Sequence, residues 1–197
     1  TDVYFDEARI AAGKRHFYKE YASLEGRKFL LITPTIRDTE AENDDILSKF
    51  PLERLHKVLG DSWIILLRLH PKVTNSHFRG SEYCVNVTNY QDVSELYFVS
   101  DMLITDYSST VVEYVLLNKP IILYAYDLEQ YNRGFYRDYK ETAAGVIAQT
   151  EDELVAAVAH PEDTEEKRKA FIKLQYDYPE GGASERILRV LEETKKK

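Results

Sequence analysis

The chain has 197 residues and a mass of 22.9 kDa, 44% hydrophobic and 30% charged, enough apolar material for one sizeable core. Its formal charge of -8 argues against a broad footprint on a nucleic-acid backbone. No apolar run approaches the roughly 20 residues that cross a bilayer, no signal-peptide stretch opens the chain, and the single cysteine, Cys84, excludes an internal disulfide, all pointing to a cytoplasmic protein.

Residues 1–26 intersperse Tyr4, Phe5, Ile10, Phe17 and Tyr21 among charges and read as an irregular start followed by a helix ending near Gly26. The opening residue is Thr1 and not methionine, the mark of a processed protein or an excised fragment. Phe29-Leu30-Leu31-Ile32-Thr33 reads as a strand stopped by Pro34. Residues 35–49, with Asp38, Glu40, Glu42, Asp44 and Asp45, read as a solvated charged connection. A helix over residues 51–58 places Leu52, Leu55 and Val58 on one face, with Gly60 as its stop. Trp63-Ile64-Ile65-Leu66-Leu67 is continuously apolar, the pattern of a strand covered on both faces.

Tyr83-Cys84-Val85-Asn86-Val87 is a weaker strand, with Cys84 as a small core residue. Asp92-Val93-Ser94-Glu95 has capping-box spacing and predicts a helix over residues 93–99, which delivers the chain to a strand at residues 102–105. A helix over residues 110–117 ends before Asn118-Lys119-Pro120, and Ile121-Ile122-Leu123-Tyr124 forms the next strand. Residues 125–147, rich in tyrosine, arginine and aspartate, read as a long loop with a short helical turn. Thr150-Glu151-Asp152-Glu153 is a second capping box, opening a helix to about Ala159. Residues 162–176 and 184–193 predict two more helices, separated by Pro179-Glu180-Gly181-Gly182, and Lys195-Lys196-Lys197 reads as a solvated terminus and not a membrane contact.

This alternation specifies an α/β fold, a mostly parallel sheet covered by helices on both faces. No internal repeat stands out. Neither G-x-G-x-x-G nor G-x-x-x-x-G-K-[ST] is present, so a standard dinucleotide enzyme or nucleoside triphosphatase lacks its signature, and the 5 histidines show no metal-ligand spacing.

In an open α/β sheet, ligands bind beyond the carboxyl ends of the strands, where loops and helix starts converge. The polar candidates fall there. Thr35 and Arg37 follow the first strand, Arg68 and His70 the second, residues 106–109 a later one, and Tyr126 and Asp127 the last apolar one. Tyr107-Ser108-Ser109-Thr110 brings hydroxyls to a helix start, whose unpaired N–H groups and dipole suit a phosphate; the alternative is that one hydroxyl caps its own helix. His70 either bonds or protonates a phosphate, or pins its own loop. Arg68 presents a guanidinium to phosphate oxygens, or pairs with Asp101 or Asp106. Asp106 repels a phosphate and instead orients the serine loop or accepts a polyol hydroxyl. Tyr131, Arg133, Phe135, Tyr136 and Arg137 either stack on a base and neutralise a diphosphate or pack on the surface. Gly181-Gly182 with Ser184 repeats the anion-site logic before a helix, or forms a flexible turn with a capping serine.

Thr33-Pro34-Thr35-Ile36-Arg37-Asp38, Arg68-Leu69-His70-Pro71, residues 92–97, residues 100–109 and residues 118–127 resemble, in order, segments of CDP-glycerol glycerophosphotransferases. The similarity continues through Tyr131, Arg133-Gly134-Phe135-Tyr136 and the turn at residues 182–186, covering most of residues 28–190. The resemblance implies a two-domain GT-B glycosyltransferase architecture, with this chain as its Rossmann-like C-terminal half. Residues 27–197 are then the nucleotide-donor-binding domain, and residues 1–26 its lead-in.

It also implies enzymes of teichoic-acid and capsule biosynthesis, CDP-glycerol as donor with no separate cofactor, and a lipid-linked saccharide or polyol-phosphate acceptor whose hydroxyl attacks to release CMP; no metal-site residue is named. His70 and residues 106–109 match positions associated with the donor diphosphate, to which Arg68 and Arg133 are added. His70 is the catalytic candidate; Arg68, Asp106, Ser108, Ser109 and Arg133 are the donor-binding ones. A missing N-terminal acceptor domain would leave the segment inactive alone, and lipid-linked acceptors imply peripheral work at the inner membrane face through other regions. A CDP-ribitol or nucleotide-sugar transferase domain, and a silent binding module, are the alternatives.

Overall fold

The computed structural model describes residues 1–73, 78–131 and 133–195. Lys196 and Lys197, part of the predicted solvated terminus, lie outside the described residues.

Six strands form one sheet: β1 (Lys28–Thr33), β2 (Trp63–Leu67), β3 (Cys84–Asn86), β4 (Met102–Thr105), β5 (Ile121–Tyr124) and β6 (Val146–Ala148). All pair in parallel, in the order β3-β2-β1-β4-β5-β6. The order reverses between β1 and β4, which makes the space beyond their carboxyl ends the topological switch point, where such sheets hold ligands.

Eight helices surround the sheet among the described residues: α1 (Glu7–Glu20), α2 (Glu40–Asp45), α3 (Leu52–Leu59), α4 (Val93–Val99), α5 (Thr110–Tyr114), α6 (Glu151–Ala159), α7 (Glu165–Gln175) and α8 (Ala183–Lys195). Successive strand residues point to opposite faces. Phe29, Leu31, Ile64, Leu66, Leu103 and Leu123 therefore enter one core, with Phe17 of α1, Leu96 of α4 and Tyr114 of α5. Leu30, Ile32, Ile65, Leu67, Ile104 and Ile122 enter the other, with Leu55 of α3 and Leu154 and Val158 of α6. The continuous apolar runs predict this two-sided burial. Cys84 is fully buried on β3, and burial pushes its thiol up to about 12.

Two expectations are corrected. Residues 125–147 are not loop throughout, because Val146 and Ile147 begin β6, registered against Ile122 and Leu123. Residues 35–49 are not only a charged connection, because α2 starts there. Thr39 accepts from the Glu42 amide while the Glu42 carboxylate accepts from the Thr39 amide, a complete capping box on a helix with no apolar stripe.

The two predicted boxes are realised differently. Asp92 caps α4 by accepting from the Ser94 amide, but Glu95 turns to Arg9 and His16 of α1 and to the Tyr90 hydroxyl. Thr150 caps α6, and Glu153 reaches past it to the Gln149 amide. Lys119 closes the other end of α4: its ammonium donates to the carbonyls of Tyr97, Phe98 and Ser100, acceptors that the helix leaves open.

Candidate functional site

At the switch point lies a cleft of about 360 Å³, lined by Thr33, Thr35, Arg68, His70, Tyr107, Ser108, Ser109, Tyr131 and Arg133 among others. Loops beyond β1, β2 and β4 meet there, together with the chain after β5.

His70 is half-buried, and its Nδ1 accepts from the Lys72 amide at 3.1 Å. A nitrogen that accepts an N–H carries no proton, so in the neutral ring the proton sits on Nε2. Among the described residues Nε2 has no hydrogen-bond partner, and His70 lines the cleft, so this N–H is left free to donate.

Ser108 and Ser109 share that wall. The Ser108 oxygen accepts from the Thr110 amide at 3.2 Å, so this hydroxyl does cap its own helix, in agreement with one of its two readings. Ser109 is exposed and makes no side-chain cap bond. Helix α5 is only 5 residues long before tightening into a 3-10 turn, so its dipole is small and the hydroxyls carry more of any anion binding.

Arg68 lines the cleft but pairs with neither Asp101 nor Asp106. Its Nη1 donates to the carbonyls of Tyr90 at 2.6 Å and Val87 at 3.3 Å, and burial lowers its pKa. Arg133 is exposed at the mouth, where its guanidinium pairs with Asp38.

Asp106, 2% exposed, sits beneath the serine turn. Its Oδ1 accepts from the Thr35 amide at 2.8 Å, the Thr35 hydroxyl at 2.6 Å and the Tyr107 amide at 2.7 Å. Oδ2 lies 3.0 Å from Arg37 Nη2, an ion-pair distance without hydrogen-bond geometry. The carboxylate thus orients the turn, in agreement with one of its two readings.

Beside the cleft stands an ion-paired group that the sequence-based donor set leaves out, Arg37 with Asp127. Arg37 is 8% exposed; its Nε donates to Asp127 Oδ2 at 2.8 Å, its Nη1 to the Thr35 carbonyl at 2.7 Å and its Nη2 to the Tyr126 hydroxyl at 3.2 Å. Burial disfavours its charge, but Asp106 and Asp127 more than offset this and raise its pKa. Tyr107 donates to Asp127 at 2.8 Å and stacks on Tyr131 with ring centroids 3.7 Å apart, while burial, and then Asp127, push its phenol well above the ordinary range. The signal in the sequence is one arginine and two aspartates just past the ends of three strands.

A neighbouring cavity of about 480 Å³ shares Tyr107, Ser108 and Ser109 and opens toward Phe135, Tyr139 and Phe171. Among the described residues no cluster of three or more His, Cys, Asp or Glu side chains is placed to hold a metal ion.

The helix start after Gly181-Gly182 already holds an anion. The Asp2 carboxylate accepts from the amides of Ala183 at 2.8 Å and Ser184 at 2.9 Å, so the second candidate anion site is filled from within. The Ser184 hydroxyl, with these amides, holds Asp2 down at about 2, from 3.8. A depressed carboxylate stabilises the fold fully above its unfolded value and loses that contribution as pH falls through the folded one. The tether of α8 is therefore expected to persist above about pH 4 and to fail near pH 2. Asp2→Asn should lower the hydrogen-exchange protection of the Ala183 and Ser184 amides at neutral pH; unchanged protection would rule the tether out.

The profile of the family described as CDP-Glycerol:Poly(glycerophosphate) glycerophosphotransferase matches residues 1–193. The chain belongs to this family. It is 35% identical over 198 residues to the teichoic acid poly(ribitol-phosphate) polymerase of Bacillus spizizenii, covering 95% of this chain and 31% of that protein. It is also 35% identical over 175 residues to the teichoic acid glycerol-phosphate transferase of Staphylococcus aureus, covering 84% of this chain and 45% of that one. The wall teichoic acid polymerase TagF, in a form soaked with CDPG, superposes with a TM-score of 0.80 at 31% identity over 98% of this chain and 48% of its own. This member of the glycerophosphotransferase family thus spans about a third to a half of the length of these three proteins. Its sheet and flanking helices are the Rossmann-like unit of a GT-B-type fold. No described helix is long and apolar enough to cross a membrane.

Proposed function

We propose that this chain is the donor-binding part of a transferase that moves glycerol phosphate from CDP-glycerol to a hydroxyl of a lipid-linked teichoic-acid or related acceptor, releasing CMP. The observation that carries this reading is that His70, whose Nε2 has no hydrogen-bond partner among the described residues, lines one cleft at the switch point with Ser108 and Ser109. Residues 27–197 form the donor unit and residues 1–26 its lead-in.

The acceptor oxygen attacks the phosphorus that bears glycerol, the bond to the CMP oxygen breaks, and CMP leaves with that electron pair. The acceptor's proton passes to a base supplied by the partner half. Negative charge shifts onto the phosphate oxygens and the departing CMP, so donors fixed beforehand stabilise the transition state. His70 serves as the catalytic donor in this reading. Ser108 and Ser109 supply further hydroxyls, Asp106 holds their turn, and Arg68 and Arg133 add positive charge at the cleft edge. The lipid-linked acceptor puts this work at the inner membrane face, with membrane association through other regions.

A second reading changes only the donor alcohol, and the comparisons favour it as much: the ribitol-phosphate and glycerol-phosphate relatives are both 35% identical to this chain. Titration calorimetry with CDP-glycerol, CDP-ribitol, UDP-glucose and CMP separates them. Preferential CDP-glycerol binding, weakened in His70→Ala, is expected; preference for CDP-ribitol replaces the alcohol, and binding of none of them overturns the donor reading.

A further inference from the structure

The guanidinium of Arg37 is too fully engaged to grip a ligand. It spends its hydrogens on Asp127, the Thr35 carbonyl and Tyr126, keeps Asp106 at ion-pair distance, and lies 5.4 to 6.0 Å from the ring centres of Tyr107, Tyr126 and Tyr131. Yet it stands at the centre of three strand-end loops, below a turn whose next residues face the cleft. Without it, two carboxylates would stand there uncompensated, Asp106 at 2% exposure and Asp127 with 22% of its side chain exposed.

A diphosphate above such a pair is repelled by both charges through a medium of low effective dielectric. We propose that Arg37 is a positioning and charge-masking residue for the donor: it cancels one of the two carboxylates under the Tyr107-Ser108-Ser109 turn and ties that turn to the loops after β1 and β5. This rests on the donor-binding reading above.

The two roles separate by counting charge. With both carboxylates ionised, the wild-type trio carries one net negative charge, Arg37→Met carries two, the double variant Arg37→Met/Asp127→Asn carries one again, and Asp127→Asn alone carries none. A purely structural arginine predicts losses that accumulate, because each substitution removes hydrogen bonds. A mask predicts that donor affinity follows charge and not the number of contacts left.

The test is calorimetric titration of the 197-residue chain and these three variants with CDP-glycerol and CDP-ribitol, with thermal melting of each. Arg37→Met is expected to weaken donor binding about tenfold, the double variant to return to within about threefold of wild type, and Asp127→Asn to bind about threefold tighter, whatever the order of the melting temperatures. A double variant weaker than Arg37→Met, or an Asp127→Asn variant weaker than wild type, overturns the mask while leaving donor binding intact. Wild-type protein that binds neither donor overturns both. If Arg37→Met fails to fold, Asp127→Asn decides alone, since the asparagine keeps an acceptor for Arg37.

Discussion

Replacing His70 with alanine is expected to slow the proposed transfer about 10²- to 10³-fold, the cost of removing one preorganised donor from a developing charge. The fold should barely notice. The half-buried ring makes one hydrogen bond within the described residues, from the Lys72 amide, and a single such bond contributes about 1 kcal/mol. A domain of this size then melts about 2–4 °C lower. The barrier effect, about 3–4 kcal/mol, exceeds the stability effect several-fold, which distinguishes a catalytic histidine from one that pins its loop. His70→Gln, whose amide N–H can approach the place of Nε2–H, should recover part of the rate. Steady-state transfer with CDP-glycerol and thermal melting measure the two effects, and transfer unchanged in His70→Ala sinks the assignment.

The placement of His70 at the mouth of the sheet is legible in the residues alone, because the rule that puts ligands beyond strand ends needs only the strands. β1, β2, β4 and β5 show themselves as continuous apolar runs that bury both faces. β6 does not, since Val146-Ile147-Ala148 is too short to show a period and lies at the sheet edge. Helix α2 is equally hard to see, although Thr39 and Glu42 carry the same T-x-x-E device that marks α6; without an apolar stripe, the cap is the only signal.

Within the site, residue type says that Arg37 seeks an anion but not which one. Its partner Asp127 is 90 positions away, and only the strand order brings the two together. The Gly181-Gly182 turn poses the same difficulty: its helix start is readable as wanting an anion, while the occupant, Asp2, comes from 181 positions away. Pairings set by topology, and not by spacing, are where the sequence alone falls silent.

The stability counterpart is Gly145, which precedes β6. A Cβ built there would collide with the Ile121 carbonyl oxygen and lie 2.7 Å from its carbon. Both are backbone atoms of β5, and β5 is held between β4 and β6, so no side chain can swing aside and the strand has no room to retreat. Gly145→Ala is therefore expected to cost about 3–4 kcal/mol and to lower the melting temperature by roughly 6–16 °C, at the upper end of overpacking effects. Gly26→Ala is the control: nothing lies within 4 Å of its Cβ, and its φ of +82 exacts only the strain of a left-handed residue, about 1–2 kcal/mol. The damage should also reach the cleft. β6 holds the end of β5 through the Ala125 amide, which donates to the Ala148 carbonyl at 2.8 Å, and Tyr126 and Asp127 extend from that end to Arg37. Below its melting temperature, Gly145→Ala should accordingly bind donor more weakly than Gly26→Ala. A Gly145→Ala protein that melts within about 3 °C of wild type, less than the shift from 2 kcal/mol, would mean that β6 is not locked against β5 as described.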